Sequence, residues 1–175
     1  MEMNFSPTEI IVCTHQASLI RACKRVNHDA GRLSNRRVAN KDDFEIHLVG
    51  MMGEFAVSKF LGIPARSDLT MFGDGAVDIE FRGSRIQVKT STHASLNCER
   101  LVFLNTLNDF GPSDWLIACS IKSITNVVIH GFISKKKFTR DCFNKNFGYG
   151  DRVCVRESDL TDINRFEEAI ASYKQ

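Results

Sequence analysis

The sequence predicts one mixed α/β domain spanning residues 1–175. Three observations lead to this prediction. Residues 43–61 repeat apolar side chains at helical spacing, residues 76–90 alternate apolar and polar side chains around a tight turn, and residues 115–133 contain two nearly continuous apolar stretches. A chain of 175 residues with 43% hydrophobic and 25% charged residues has the length and composition of a single globular domain.

Charge, hydropathy and cysteine spacing narrow the class of protein. The net charge of +2 does not by itself indicate a nucleic-acid protein, so any basic surface would come from local clustering. No apolar run approaches the roughly 18 residues of a membrane span, and the acidic start lacks the basic flank of a signal peptide. The six cysteines form no Cys-x-x-Cys pair, which indicates reduced thiols rather than a zinc or redox site. We therefore expect a cytoplasmic protein without a membrane partner.

The first 42 residues leave two interpretations open. Residues 10–26 contain a short apolar stretch that fits a strand, but the whole segment also fits one helix, and the part from Gln16 to Arg25 favours the helix. Residues 27–43 are polar and predict a loop or a frayed helix. Arg36 and Arg37 in this segment either contact phosphates or belong to a solvated basic surface.

Residues 43–61 predict a helix with one buried stripe. Gly62 follows it as a left-handed cap. Gly50 and Gly53 would each cost about 1 kcal/mol relative to alanine inside a helix. Their position beside Glu54 indicates that the helix backbone lies close to another element. The predicted stripe is formed by Phe44, Leu48, Met51 and Phe55.

Three short strands are predicted next, at residues 69–72, 76–81 and 85–90, with a Gly-Asp-Gly turn at 73–75. Residues 82–84 close the last two strands into a hairpin. Because side chains alternate along a strand, Asp78 lies on the polar face of one strand, and Gln87 and Lys89 lie on the polar face of the next. The sequence thus predicts a polar surface beside an apolar core.

The second half of the chain predicts more strands and a final helix. Strands are expected at 101–104, 115–121, 126–133 and 153–158, and a helix at 159–174 with its inner stripe at Leu160, Ile163, Phe166 or Glu167, and Ile170. Residues 134–150 predict a basic loop with interleaved aromatic residues. This loop either binds a nucleic-acid backbone and unpaired bases, packs its phenylalanines on the core, or binds another protein. The candidate phosphate-binding residues are Lys135, Lys136, Lys137, Arg140 and, at the end of the third strand, Ser91.

Asp78, Gln87, Lys89 and Glu54 together suit hydrolysis of a phosphodiester. Mg²⁺ prefers oxygen ligands and usually takes one or two carboxylates. Asp78 would be such a ligand, Gln87 a neutral one through its side-chain or main-chain oxygen, and Glu54 a direct or water-mediated one. Lys89 faces the same way as Gln87 and would orient or deprotonate the attacking water.

The motifs that carry these residues resemble a nuclease family. Gly-Glu-x-Ala at 53–56, Val-Asp-Ile at 77–79 and Ile-Gln-Val-Lys-Thr at 86–90 are similar to the PD-(D/E)XK superfamily, most of all to its Mrr-like and phage branch with Gln in place of an acid. The resemblance covers residues 45–135. It implies a restriction-endonuclease-like fold, a mixed central β-sheet flanked by helices, with Mg²⁺-dependent DNA cleavage and Mn²⁺ as a substitute metal. The chain departs from the family pattern at Val77, where Pro is usual, and at Gln87.

The leading hypothesis is therefore a metal-dependent endonuclease that acts on DNA. The alternative is a nucleic-acid-binding protein of the same fold that has lost hydrolysis, because Gln87 removes one ligand charge. A homodimer would bring two such sites together to cut both strands.

Overall fold

The computed structural model describes residues 1–29, 43–65, 77–92, 101–148 and 150–173. Within these ranges the chain forms four α-helices, eight β-strands and three short 3₁₀ turns. The helices are α1 Pro7–Asp29, α2 Asp43–Phe60, α3 Lys135–Asp141 and α4 Phe166–Tyr173. The strands are β1 Glu2–Asn4, β2 Ile79–Phe81, β3 Ser84–Ser91, β4 Leu101–Leu104, β5 Trp115–Ser123, β6 Asn126–Ser134, β7 Phe143–Asn146 and β8 Asp151–Arg156. The 3₁₀ turns are Leu107–Phe110, Glu157–Asp159 and Ile163–Arg165.

The larger sheet has five strands in the order β1-β6-β5-β3-β2. β3 and β5 run parallel, with Ile86 opposite Trp115 and Ser91 opposite Ser120. The other neighbouring strands in this sheet are antiparallel. The predicted mixed α/β character is therefore confirmed, and the sheet is mixed.

One face of this sheet, which we call the helical face, packs against α1, α2 and α4. The buried side chains of β3 and β5 on this face share one core with Ala17 of α1, Val57 of α2 and Phe166 of α4. The stripe predicted for α2 is confirmed, because Met51 is buried and the three other stripe residues pack partly buried against the same core. The β3 and β5 residues are Ile86, Val88, Trp115, Ile117 and Cys119.

The other face, which we call the sheet face, packs against a three-stranded antiparallel sheet of order β4-β8-β7. Leu116 and Ala118 of β5 contribute to a second core there, together with Leu104 of β4 and Val155 of β8. Because both faces are covered, β5 is apolar at almost every position, as a central strand requires.

An aromatic cluster fastens α4 to the helical face. The ring of Trp115 lies 5.6 Å from that of Phe132, 5.7 Å from that of Phe166 and 5.0 Å from that of Tyr173, measured between centroids. Edge-to-face pairs at such distances each add roughly 0.5–1.5 kcal/mol beyond the area they bury. Contacts between aromatic rings thus join α4 to β5 and β6.

Most of the predicted elements are confirmed. The strands expected at 101–104, 115–121, 126–133 and 153–158 correspond to β4, β5, β6 and β8, and residues 10–26 are helical throughout. Gly62 follows α2 with φ of 66°, as the predicted cap requires. The predictions for 69–72 and 73–75, and those for Arg36 and Arg37, concern residues outside the described ranges.

Two expectations were wrong, and one strand was missed. Residues 134–150 do not form a basic loop but contain α3 and β7. The Ser134 hydroxyl caps α3 by accepting a hydrogen bond of 3.2 Å from the Lys137 amide, and Phe138 is fully buried. The helix expected at 159–174 begins only at Phe166, because Thr161 instead pairs with β6. The strand β1, which extends the sheet beyond β6, was not predicted.

Five of the six cysteines lie in the described ranges. Cys13, Cys23, Cys119, Cys142 and Cys154 are free thiols, and Cys98 lies outside the described residues. Burial raises the pKa of the Cys119 thiol to about 12. None of the helices in the described ranges combines the length and the apolarity that crossing a bilayer requires.

Candidate functional site

The hairpin of β2 and β3 positions the predicted polar residues. Its two-residue loop has positive φ at both Arg82 (49°) and Gly83 (71°), which is the geometry of a type I′ turn. The turn fixes the register at Phe81 opposite Ser84 and Ile79 opposite Ile86. Asp78 immediately precedes β2 and is bonded to β3 through its amide and its carboxylate.

Asp78 is 8% exposed and is held against the backbone of β3. Its amide donates to the Ile86 carbonyl at 2.9 Å, and its Oδ2 accepts a hydrogen bond of 2.5 Å from the Val88 amide. The carboxylate therefore lies beside the peptide group that joins Gln87 to Val88. A carboxylate has about four lone-pair positions, so this hydrogen bond is compatible with binding a cation as well.

Gln87 is 3% exposed and points to the sheet face. Its Nε2 donates to the Asp109 carbonyl at 2.9 Å, and its buried Oε1 has no hydrogen-bond partner among the described residues. A buried acceptor left unpaired costs roughly 1–3 kcal/mol. The side chain is thus anchored through its nitrogen and presents an unused oxygen.

The 3₁₀ turn Leu107–Phe110 that anchors Gln87 is itself fixed. The carboxylate of Asp109 accepts hydrogen bonds from the Thr106 amide at 3.3 Å and the Thr106 hydroxyl at 3.2 Å. Partial burial works against ionisation of Asp109, but hydrogen bonds from Asn105 and Thr106 outweigh it and hold the pKa of the carboxyl below its ordinary value. A well-held turn makes the orientation of the Gln87 amide well defined.

Lys89 lies two residues beyond Gln87 on the same face of β3, where its neighbour on β5 is Ala118. The side chain is half-buried. Its amine makes no ion pair or hydrogen bond with the part of the chain that the structure describes. The described residues thus supply no anionic partner for this half-buried cation.

These residues lie at an edge of the sheet. β2 is the last strand, and its pairing with β3 covers only Ser84 to Ile86, whereas β3 continues to Ser91. Within the described residues, β3 therefore leaves its outer edge unpaired by a strand beyond Ile86. Asp78 lies where this edge begins.

Glu54 lies on α2, which packs against the helical face, whereas Gln87 points to the sheet face. Gly53 lies so close to β3 that a Cβ at this position would be 1.8 Å from the Thr90 Oγ1. Glu54 is half-buried and near α1: burial raises the pKa of the Cys13 thiol to about 11, and the negative charges of Glu9 and Glu54 add to this. The structure thus groups Asp78, Gln87 and Lys89, with Glu54 on a helix that touches the next residue of the same strand.

The grouped donors fit a hard cation of the Mg²⁺ type. Side chains of the His, Cys, Asp and Glu types do not cluster in threes as metal ligands anywhere in the described ranges. Mg²⁺ needs only one or two carboxylates, with water completing its shell. Asp78 supplies one carboxylate, and the Gln87 Oε1, which has no partner among the described residues, is an oxygen donor of the type that Mg²⁺ prefers.

The predicted phosphate-binding residues are distributed over two elements. Ser91 ends β3 and is exposed, beside the predicted site. Lys135 donates to the Gly111 carbonyl at 2.6 Å, and Lys137 donates to the Asp159 carbonyl at 2.5 Å. Arg140 forms a bidentate pair with Asp141, and Lys136 is exposed. Two of the four cations of α3, Lys135 and Lys137, therefore also hold this helix to its surroundings, while Arg140 pairs within the helix.

A hydrogen-bonded chain on the sheet face was not predicted. The Ser120 Oγ lies 2.7 Å from the His130 Nε2, and the His130 Nδ1 lies 2.8 Å from the Glu157 Oε1. This is the connectivity of a nucleophile, a base and an acid. Ser120 is only 3% exposed in the middle of β5, so the chain serves to satisfy buried polar groups opposite Ser91. Its members are far apart in sequence, and no spacing pattern connects them.

Comparisons with protein-family models, with curated proteins and with solved structures found no match.

Proposed function

We propose that the protein is a metal-dependent endonuclease that hydrolyses DNA phosphodiester bonds, with Glu54, Asp78, Gln87 and Lys89 as its active site. One observation carries the proposal. Among the described residues, the buried Oε1 of Gln87 and the amine of Lys89 on the same face of β3 have no partner, and the Asp78 carboxylate lies against the Val88 amide between them. Two oxygen donors and one cation at a strand edge suit an anionic phosphodiester.

Each residue has a distinct role in the proposed site. Asp78 and Gln87 would hold Mg²⁺, and Glu54 would approach it around the edge of the sheet, directly or through a water. The metal, when bound, lowers the pKa of a water and neutralises charge on the phosphoryl group. Lys89 binds the phosphate oxygens electrostatically and orients the attacking water, from which it can accept the proton.

Lys89→Ala tests the proposal. In Mg²⁺ the purified protein is expected to nick or linearise supercoiled DNA, and EDTA is expected to stop the reaction. Lys89→Ala should lower the cleavage rate by about 100-fold or more, because it removes the group that handles the proton. Its thermal unfolding midpoint should stay close to that of the unaltered protein, because the amine has no partner among the described residues.

Lys122→Ala is the matched control. Lys122 is an exposed lysine of β5 that pairs with Glu2 at the far end of the sheet, so its removal changes the same charge without touching the site. This variant should cleave at the unaltered rate. Cleavage by Lys89→Ala at that rate, or in EDTA, would reject the proposal.

A second function is favoured by the neutrality of Gln87, whose nitrogen is already engaged by the Asp109 carbonyl. A site with one carboxylate charge fewer suits a protein that binds nucleic acid without hydrolysing it. Stabilisation by metal separates the two functions. A ligand at about 100 times its dissociation constant raises the free energy of unfolding by about 2.7 kcal/mol. A protein that has lost hydrolysis together with its metal should show no such response to Mg²⁺ or Mn²⁺.

A further inference from the structure

The three-stranded sheet has one face directed away from the core. In β8, Val153 and Val155 point inward to the core on the sheet face. Side chains alternate along a strand, so Arg152, Cys154 and Arg156 lie on the opposite side of β8, where Arg152 is partly exposed, Arg156 is exposed and Cys154 is fully buried between them. The register pairs Lys145 with Arg152 and Phe143 with Cys154, which places both β7 residues on the same outward side. We call this surface of Phe143, Lys145, Arg152, Cys154 and Arg156 the outer face.

The outer face is strongly basic. Lys145 and Arg152 are directly opposite each other on neighbouring strands, an arrangement of like charges that destabilises an antiparallel pair. Burial raises the pKa of the Cys154 thiol, and the positive charges of Lys145 and Arg152 oppose that shift, so both cations lie near it. The five positions that β7 and β8 contribute to this face include no carboxylate. Three cations on one face favour a negatively charged ligand.

The cations are combined with aromatic rings. The Arg156 guanidinium lies over the Phe143 ring at 5.1 Å, and the Lys145 amine lies 5.8 Å from the centre of the Phe147 ring. Phe143 and Phe147 are both partly exposed on a segment that is otherwise polar. Rings beside cations on a sheet surface can stack unpaired bases while the cations bind the phosphates.

The spacing favours an extended polyanion over a small anion. Arg152 and Arg156 are four residues apart on one strand, which separates their backbones by about 13 Å at roughly 3.3 Å per residue. One phosphate group does not span this distance, whereas a strand of nucleic acid presents several phosphates in a row. In a duplex the bases are stacked on each other and are not available to the rings.

We propose that the outer face binds single-stranded nucleic acid, with Lys145, Arg152 and Arg156 on the phosphates and Phe143 stacked on a base. This inference rests on the proposed function in one respect, since it names the substrate of that nuclease as one with a single-stranded segment. The outer face and the site at Asp78 belong to different sheets, so binding and cleavage can be measured separately.

Binding is measured by fluorescence anisotropy with a labelled single-stranded DNA in EDTA, where no cleavage takes place. The double variant Lys145→Glu/Arg156→Glu should weaken binding by about tenfold or more at moderate salt, and the slope of log K against log salt should fall by about 0.7 for each lost phosphate contact. Phe143→Leu keeps an apolar side chain but removes the ring, and should weaken binding by about fivefold or more.

The control is Lys122→Glu/Arg165→Glu, which makes the same change in net charge at two exposed positions outside this face. It should bind like the unaltered protein. Equal losses in the two double variants, or an unchanged salt slope in the first, would overturn the proposal, and so would tighter binding to duplex DNA or to polyglutamate than to single strands.

Two further arms define the ligand. Single-stranded RNA of the same sequence distinguishes ribose from deoxyribose strands, and either result supports the proposal if single strands are preferred. The second arm is the cleavage assay with Lys89→Ala described above. Normal cleavage by Lys89→Ala would reject the nuclease and leave the binding face standing, whereas normal binding by the outer-face variants would reject the face and leave the nuclease standing.

Discussion

A single amide oxygen distinguishes Gln87 from an ordinary strand residue. The side chain is 3% exposed, its nitrogen is bound to the Asp109 carbonyl, and its oxygen has no protein partner in the described ranges. A leucine of similar volume would avoid the cost of the unpaired acceptor. Retaining the amide is reasonable if the oxygen binds something that arrives from solvent.

Gln87→Glu tests the role of this oxygen. Without metal we expect the variant to lose about 1–3 kcal/mol of stability, because a buried carboxylate replaces the amide that donates to the Asp109 carbonyl. With Mg²⁺ we expect the loss to be largely recovered, because two carboxylates then face the cation. Urea denaturation with and without Mg²⁺ measures both effects.

Gln87→Leu is the companion variant. It removes the oxygen at similar volume, so its free energy of unfolding should be the same with and without Mg²⁺. A response of Gln87→Leu equal to that of Gln87→Glu would contradict a metal at this oxygen.

For single residues, the sequence predicts the face of the sheet on which a side chain lies better than it predicts the hydrogen bonds of that side chain. Strand alternation alone places Asp78, Gln87 and Lys89 on one face, and the burial of their apolar neighbours agrees. It does not predict that Asp109 holds the Gln87 amide or that His130 joins Ser120 to Glu157. These hydrogen bonds connect different elements, and nothing local in the sequence encodes them.

The contact between α2 and β3 is the feature that matters most at the scale of elements. Gly53 allows the helix to lie directly against Thr90, next to Lys89. The sequence indicated a close approach here, because two glycines in a helix carry a cost. The sequence did not distinguish the two glycines. A Cβ added at Gly53 would have neighbours within 4 Å, whereas a Cβ added at Gly50 would have none among the described residues.

The two glycines therefore predict opposite effects. Gly53→Ala should destabilise the protein by about 1–3 kcal/mol, because its Cβ would collide with the Thr90 hydroxyl and push α2 away from the strand. Gly50→Ala should stabilise it by up to about 1 kcal/mol through helix propensity. Chemical denaturation of both variants measures the difference.

A double variant isolates the collision. Thr90→Ala removes the hydroxyl and methyl groups that the new Cβ would meet, so Gly53→Ala should cost less in a Thr90→Ala background than alone. Equal costs in both backgrounds would show that the destabilisation has another origin.

The elements that were missed share one cause. α3 begins with three lysines and β7 consists of Phe-Asn-Lys-Asn, so neither has a regular apolar pattern. The helix is stabilised by the Ser134 cap and the single buried Phe138, and the strand by its ladder with β8. Ser134 as a capping residue was the one available sequence cue. β7 pairs with β8, the next strand in the chain, with Asn146 opposite Asp151.

For the whole molecule, two sheets share a core and the polar site lies at the rim of the larger one. Local patterns predict most strands, but they do not predict that β4, β8 and β7 form a sheet of their own. Strand partners are chosen by contacts between distant residues, such as Leu104 of β4 with Val153 of β8. The fold class was therefore accessible from the sequence, and the arrangement of its sheets was not.

Asp114 connects the starts of β3 and β5 and makes stability depend on pH. Partial burial disfavours its ionised form, but hydrogen bonds from the backbone and guanidinium of Arg85 outweigh this and hold its pKa below the ordinary value of 3.8. A lowered pKa contributes stability that is present above the ordinary value and is lost as pH falls through the folded value.

We therefore expect the free energy of unfolding to fall in acid, and Asp114→Asn to flatten part of that fall. The variant should also be less stable at neutral pH, where the carboxylate is fully ionised. Urea denaturation between neutral pH and about pH 3 measures both effects. A pH profile of Asp114→Asn parallel to that of the unaltered protein would show that Asp114 does not contribute.

The aromatic cluster on the helical face has an optical consequence. Trp115 is the single tryptophan of the chain and is 4% exposed. Its fluorescence emission should therefore change when α4 detaches and water enters the core around the ring. Because the ring points away from Gln87 and Lys89, substitutions in the candidate site should leave the native spectrum unchanged. The chain thus carries its own fluorophore, and the stability of each variant can be followed without a dye.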